Sequence, residues 1–440
     1  MGEELKILKE RHVWDLVKLP ANTEPIGCRW VYTIKQNEKN EIVRYKARLV
    51  AQGYKQVRYE TYDLTFSPVV NFSLVRFFFS LLVSFLKWTH LQFDVKCAYL
   101  YADITENIFM KQPPGFIQSD KPHLVCKLNK ALYGLHQSGR VWFMEINKVL
   151  TDIGFKKLEW CNCVYTLKSK IVLLLYVDDI VIFGKNKSII EDSIKNISKF
   201  FDLKALGKTR KLLGVEFEEK DGIFIHQKSY IEDVYDRFNE YHIPLTSLPI
   251  AKGTVFSKSQ CPQTNPEVNE MLQYPYRSLL GCLSFITSRT RPDINYAVNI
   301  FSQFQSNPGF IHWSGLLKLL GYVNHTKDLK LKLSCTNLKL ITYTDADFAA
   351  NKDDRTSIGG QIVLLGNSPI TWRTFKEKCI SLSTMEAEFV ALTEAAKELL
   401  WFDRIVDECI SLKIISNKKQ RSVLYVDLSL IHISEPTRRS

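Results

Sequence analysis

Two adjacent acids, Asp178 and Asp179, sit in Leu175-Tyr176-Val177-Asp178-Asp179-Ile180-Val181-Ile182, between the aliphatic runs 171–175 and 180–183, and Gly184 closes the second run. Two such runs around a short polar break predict a β-hairpin with both carboxylates at its tip. Strands this apolar belong in a core, so the acids emerge from a rigid support. Neighbouring carboxylates repel and raise each other's pKa unless a cation lies between them. Magnesium suits that place, being a hard cation content with one or two carboxylates plus substrate phosphates. For the dipeptide alone an ordinary turn would be the simpler reading. A third acid overturns it. In Leu91-Gln92-Phe93-Asp94-Val95-Lys96, apolar and polar residues alternate, a strand pattern that turns Asp94 away from the apolar face. An acid on one strand facing a hairpin tip with two more is what two-metal phosphoryl transfer needs. One ion lowers the pKa of a primer hydroxyl, and the other holds a triphosphate and its leaving group.

These acids require a supporting text, and that text is specific. Phe93-Asp94-Val95-Lys96-Cys97-Ala98-Tyr99 and Tyr176-Val177-Asp178-Asp179 resemble motifs A and C of reverse transcriptases. Gly27-Cys28-Arg29-Trp30-Val31-Tyr32, the run 44–54 (RYKARLVAQGY), Thr65-Phe66-Ser67-Pro68-Val69, Gln112-Pro113-Pro114-Gly115-Phe116, Leu132-Tyr133-Gly134-Leu135 and Arg289-Thr290-Arg291-Pro292-Asp293-Ile294 resemble the pol region of copia-type LTR retrotransposons. The resemblance runs in one order over nearly the whole chain. It implies an α/β (α+β) fold: a right-hand polymerase with palm, fingers and thumb, followed by a truncated ribonuclease H-like domain. The expected divisions are reverse transcriptase over 1–245, a connection segment over 246–336 and the ribonuclease H-like domain over 337–427.

The resemblance also implies roles. Asp94, Asp178 and Asp179 would hold two Mg²⁺ ions, with the backbone carbonyl of Val95 as a further ligand. Lys46 and Arg48 lie two apart on a strand-like run and so share a face; they match the segment that grips the incoming triphosphate, Arg bidentately and Lys as a point charge. A solvated basic strand is the bland alternative. Tyr99 matches the aromatic steric gate that selects deoxynucleotides, against a plain core tyrosine. Gln137 matches the motif B glutamine that touches the nucleotide, although Gly139 stands where relatives usually carry proline. Arg210 and Lys211 suit a primer-contacting segment or plain solvated charge.

A second constellation follows. Tyr343-Thr344-Asp345 ends a strand, Ser383-Thr384-Met385-Glu386-Ala387-Glu388 opens a helix capped by Ser383 or Thr384, and Leu424-Tyr425-Val426-Asp427 ends another strand. This order of acids resembles a ribonuclease H core with Asp345, Glu386 and Asp427 as its acids, able to hold two further divalent ions and cut RNA paired to DNA. Asp347 and Glu388 both read as loop- and helix-surface charges, although Glu388 is a credible rival to Glu386. From Leu428 the text reads as a translated sequencing-library adapter. Residues 428–440 are therefore set aside, and the last domain is expected to be incomplete.

Composition agrees. The 440 residues exceed a single core, 45% hydrophobic and 24% charged content is that of a globular protein, and a net charge of +12 favours a polyanionic partner. The 10 cysteines form no Cys-x-x-Cys framework, and Cys161-Asn162-Cys163 has the wrong spacing for a zinc knuckle. Charges near the start, Glu3, Glu4, Lys6, Lys9 and Glu10, argue against a signal peptide. The apolar run 77–86 is too short for a bilayer and reads as a buried helix capped by Ser73. The stretch 257–270, polar with two prolines, reads as an exposed linker. The expected partners are an RNA template, a DNA or RNA primer, RNA–DNA hybrid and dNTPs, with no membrane, alongside capsid and integrase sections of a parent polyprotein. The expected setting is the cytoplasm, inside a virus-like particle, with nuclear access open. Two other readings stand beside this one. The first is a catalytically dead or domesticated nucleic-acid-binding remnant of the same fold. The second is a host telomere-type polymerase, which the ribonuclease H-like tail disfavours.

Overall fold

The computed structural model describes residues 1–36 and 42–426. Asp427 and the segment 428–440 lie outside the described residues. The chain divides into two compact units: one made of 1–70 and 90–208, the other of 71–89 and 209 onward.

The first unit is built on a six-stranded sheet. Its order is Leu203–Gly207, Thr89–Val95, Asp179–Gly184, Ile171–Tyr176, Val164–Leu167 and Lys156–Lys157. The two aliphatic runs pair antiparallel and are buried, as their composition requires. The turn differs from expectation: Asp179 already belongs to the second strand, opposite Tyr176, so Val177 and Asp178 alone make the tip. Helix Ser138–Ile153 covers the sheet with Trp142, Ile146, Val149 and Leu150, spaced along one face, and Gly154 ends it in the left-handed conformation. The basic hairpin pairs Cys28–Gln36 with Ile42–Ala51.

In the second unit the apolar run forms a helix, Phe72–Phe78, continued by a wide π-type turn, Phe79–Phe85, and buried throughout 72–84. Its cap is Asn71, whose side chain accepts from the Ser73 amide; Ser73 itself is inside the helix. Arg76 is fully buried on this helix. Its guanidinium donates to the carbonyls of Ile370 (2.8 Å), Ser288 (3.0 Å) and Arg289 (2.8 Å) and stacks on Trp372 at 4.0 Å. Burial and the nearby Arg289 charge lower its pKa to about 9.

The stretch 257–270 is more ordered than a linker. Helix Asn265–Met271 starts there, with Thr264 and Glu267 forming a capping box and Pro266 in the first turn, where its missing N–H costs nothing. That helix joins a cluster of helices packed around Trp313, Leu279 and Leu320. The last sheet runs Ser368–Lys376, Ile358–Leu365, Leu340–Asp347 and Val423–Val426. Its first three strands are antiparallel, and the fourth lies parallel to Leu340–Asp347. A parallel neighbour needs a long crossover, which helix Thr384–Ser411 supplies.

A separate four-stranded sheet in the second unit places both ring nitrogens of His226 against acids: Nδ1 lies 3.1 Å from Glu216 and Nε2 3.0 Å from Glu218. Lys330 also pairs with Glu218 at 2.5 Å. The His226 hydrogen bond holds the Glu216 carboxyl at about 2, below its ordinary 4.5. A carboxyl depressed in the fold adds stability above its unfolded pKa and loses it as pH falls towards the folded value. Thermal melting should therefore drop between pH 4.5 and 2, and Glu216→Gln should flatten that drop. An unchanged pH profile in the variant would show that this cluster contributes nothing. Glu218 is the more open of the two, so most of the effect rests with Glu216.

Candidate active site

Strand Thr89–Val95 brings Asp94 beside the Val177–Asp178 turn, and the Val95 amide donates to the Asp178 carbonyl at 2.8 Å. Val177 holds φ +53°, a left-handed conformation that a β-branched residue adopts only under constraint. The constraint is visible. The indole N–H of Trp142, buried on helix Ser138–Ile153, donates to the Val177 carbonyl at 2.7 Å.

The three acids share one electrostatic neighbourhood. Burial raises the Asp178 pKa, and the charge of Asp94 adds to it, while Arg48 and Lys46 pull it down. Burial pushes Asp179 up to about 6, with Asp178 and Asp94 adding to it, while a hydrogen bond from Gln92 at 3.3 Å opposes. Asp178 and Asp179, held above the ordinary carboxylate range beside Asp94, form a hard-oxygen donor set that a divalent cation would relieve. Among the described residues, no three metal-ligating side chains form a closed cage as they stand.

Lys46 and Arg48 lie on one face of their strand, as alternation requires, close enough to Asp178 to bear on its charge. Tyr99 is half-buried beside Asp178, and burial, with Asp178 next, raises its hydroxyl pKa. Its ring meets Tyr133 edge-on at 4.7 Å, and the Arg48 guanidinium lies 5.0 Å over the Tyr133 ring. Tyr133 thus joins the site although its sequence gave it no role. The signal available was Gly134 after it. Gly134 has φ +96°, and a Cβ there would fall 2.1 Å from the Ala51 carbonyl, so the loop seats against the end of the basic strand.

Gln137 is not on an open face. It is 1% exposed, accepts from Gln56 at 3.1 Å and donates to the Thr61 carbonyl at 2.9 Å. Both ends of its side-chain amide are engaged within the protein, where they tie Gln56 and Thr61 to the start of the helix. Val95 is 2% exposed, Arg210 and Lys211 are exposed, and Asp347 is exposed as expected.

In the second constellation the strand places Asp345 beside Glu388, not Glu386. The Ala346 amide lies 2.9 Å from Asp345 Oδ1 and 3.1 Å from Glu388 Oε1. Glu386 instead accepts from the Leu382 amide at 2.6 Å, and its own amide donates to the Ser383 hydroxyl at the helix start. The physical reason is helical phase. The first-turn acid folds back on the cap, and the one two residues later is 7% exposed and faces the sheet.

The sequence pattern of the family described as reverse transcriptase (RNA-dependent DNA polymerase) matches residues 11–252. A retrovirus-related Pol polyprotein from transposon TNT 1-94 of Nicotiana tabacum is 39% identical over 415 residues, 93% of this chain and 31% of the relative. The putative transposon Ty5-1 protein of Saccharomyces cerevisiae is 32% identical over 313 residues, 70% of this chain and 100% of that protein. The chain thus spans about a third of the length of the first Pol polyproteins it matches. A foamy viral protease–reverse transcriptase, solved in complex with double-stranded DNA, shares the fold at 12% identity with a TM-score of 0.50, covering 100% of this chain and 65% of that one.

The strained turn yields a direct test. Trp142→Phe leaves a part-buried carbonyl without its donor and should cost about 0.5–1.5 kcal/mol in urea unfolding. Val177→Gly relieves the left-handed penalty of roughly 1–2 kcal/mol and should not destabilise. If Trp142→Phe unfolds like the parent, the clamp is not what holds the turn.

Proposed function

The chain belongs to the reverse transcriptase (RNA-dependent DNA polymerase) family, among the Pol proteins of copia-type retrotransposons, and we propose that it extends a primer with deoxynucleotides on an RNA template. The observation that carries this reading is the meeting of Asp94, Asp178 and Asp179 with Lys46, Arg48 and Tyr99 in one neighbourhood. Asp94, Asp178 and Asp179 would hold Mg²⁺, with the Val95 carbonyl beside them. The bound ions would supply charge neutralisation at the triphosphate and a lowered pKa at the primer hydroxyl. Arg48 and Lys46 neutralise and orient the phosphates, and Tyr99, braced by Tyr133, fills the space a ribose 2′-hydroxyl would need. A-form hybrid duplex is held through phosphate contacts and shape. The setting that fits is a virus-like particle in the cytoplasm, the chain being one section of a larger polyprotein.

A domesticated binding remnant would not need this full acid and base set. In the polymerase, Asp178→Asn should abolish primer extension while leaving template–primer affinity nearly unchanged, because phosphate contacts lie elsewhere. Extension at limiting magnesium should also fall as pH drops through about 6, and added magnesium should restore it. A variant that extends primers within a few-fold of the parent overturns the assignment.

The second activity in this reading is hybrid cleavage by the C-terminal sheet. Asp345 and Glu388, sharing the Ala346 amide, are its acids in the described part, with Asp427 the expected third. Where RNA–DNA hybrid cleavage is measured, Glu388→Gln should abolish it. Glu386→Gln should keep it within a few-fold and leave the helix start intact, because Gln can accept the same Leu382 amide. The opposite ranking would restore Glu386.

A further inference from the structure

Helix Gly2–Glu10 carries two acids in its first turn, Glu3 and Glu4, that the chemistry above does not use. Its apolar side is fixed. Leu5 and Leu8 are buried in one core with Leu49 of strand Ile42–Ala51, and Cys97, just after strand Thr89–Val95, packs against the same core. The helix is tied at both ends as well. Glu3 pairs with Arg44 at 2.6 Å. Past the other end, the Arg11 guanidinium donates to the Tyr101 hydroxyl at 2.8 Å and lies 3.9 Å over that ring. The acidic first turn is therefore held along the basic strand.

Arg44, Lys46 and Arg48 alternate on that strand and share one face. Glu3 answers the first of them, and half-buried Glu4 bears on the other two. The Glu4 carboxyl accepts from the Leu49 amide, which fixes it to the strand. Burial raises its pKa, while the charges of Lys46 and Arg48 pull it down. The same two cations draw down Asp178. Burial raises the Cys97 thiol and Glu4 adds to it, while Arg11, Lys46 and Arg48 oppose, so the carboxyl and both cations converge near the turn after Asp94.

A fixed carboxylate beside two phosphate-gripping cations has one first-order effect. It lowers the positive potential that a polyanion meets and so weakens the grip. We propose that Glu4 is a resident counter-charge to Lys46 and Arg48, setting how tightly this site holds a triphosphate or the pyrophosphate released from it. This rests on the reading that those two side chains grip the incoming nucleotide. Each addition leaves pyrophosphate where the next triphosphate must enter, and a grip without its counter-charge would hold that product longer. Glu4 acts through the two cations, as a positioning residue.

The full chain is titrated with Mg²⁺-dATP and, separately, with inorganic tripolyphosphate. Glu4→Gln keeps an acceptor for the Leu49 amide and loses the charge. At low salt it should bind both ligands roughly two- to five-fold tighter than the parent. The gap should close at about 1 M salt, where the screening length falls to about 3 Å. Glu4→Met, without charge or acceptor, should show the same gain, and circular dichroism should show both variants folded. Glu3→Gln, whose partner is Arg44, should leave both affinities unchanged. Tighter binding is a result that a damaged fold does not give. Equal or weaker binding by both Glu4 variants, a gain that salt does not erase, or loss of the fold in both overturns the proposal. Primer extension by the parent is scored separately. Extension without a Glu4-dependent grip sinks this inference and keeps the polymerase, while a Glu4-dependent grip without extension keeps the inference and sinks the polymerase.

Discussion

Like charges forced together are the constraint around which the first unit is arranged. Asp178 and Asp179 follow one another in sequence, and Asp94 is brought up to them by a strand that bonds to the Asp178 carbonyl. Nothing in their own chemistry favours this. The cost is met by surroundings: buried strands that cannot yield, a turn locked by the Trp142 indole, and the charges of Lys46 and Arg48 nearby. A softer scaffold would let the carboxylates swing apart into water. The apolar strands, the clamping helix and the basic hairpin answer one electrostatic demand, and their types were readable for that reason.

Legibility followed how local the determining physics is. Alternation around Asp94 and the paired aliphatic runs specify strands within a few residues, so the sheet and the acids on it were plain in the sequence. The buried helix was plain too, though its cap is Asn71, because Ser and Asn compete for the same role within three residues. The ordering of 257–270 was missed because two prolines outweighed the Thr264–Glu267 capping box lying between and beside them.

The site was less legible where a side chain's role depends on distant partners. Glu386 and Glu388 differ by two helical positions, and only the sheet decides which one meets Asp345. Gln137 matched a nucleotide contact by its motif, yet Gln56, 81 residues away, takes its carbonyl. Tyr133 acquires its place from Arg48 and Tyr99, neither of them its neighbour in sequence. The family comparison speaks to the fold and the chemistry of the motifs; it does not choose between adjacent acids.

The helix bearing Arg76 interrupts the first unit in sequence and packs in the second. Its partner carbonyl on Ile370 is made 294 residues later. At ribosomal speeds of about 5–20 residues per second, that partner arrives roughly 15 to 60 s after the helix emerges. Over that interval the segment can meet Phe217 and then the 288–289 carbonyls, but the Arg76 guanidinium still lacks the Ile370 carbonyl. During synthesis this apolar run is therefore exposed before the last of its partners has been made.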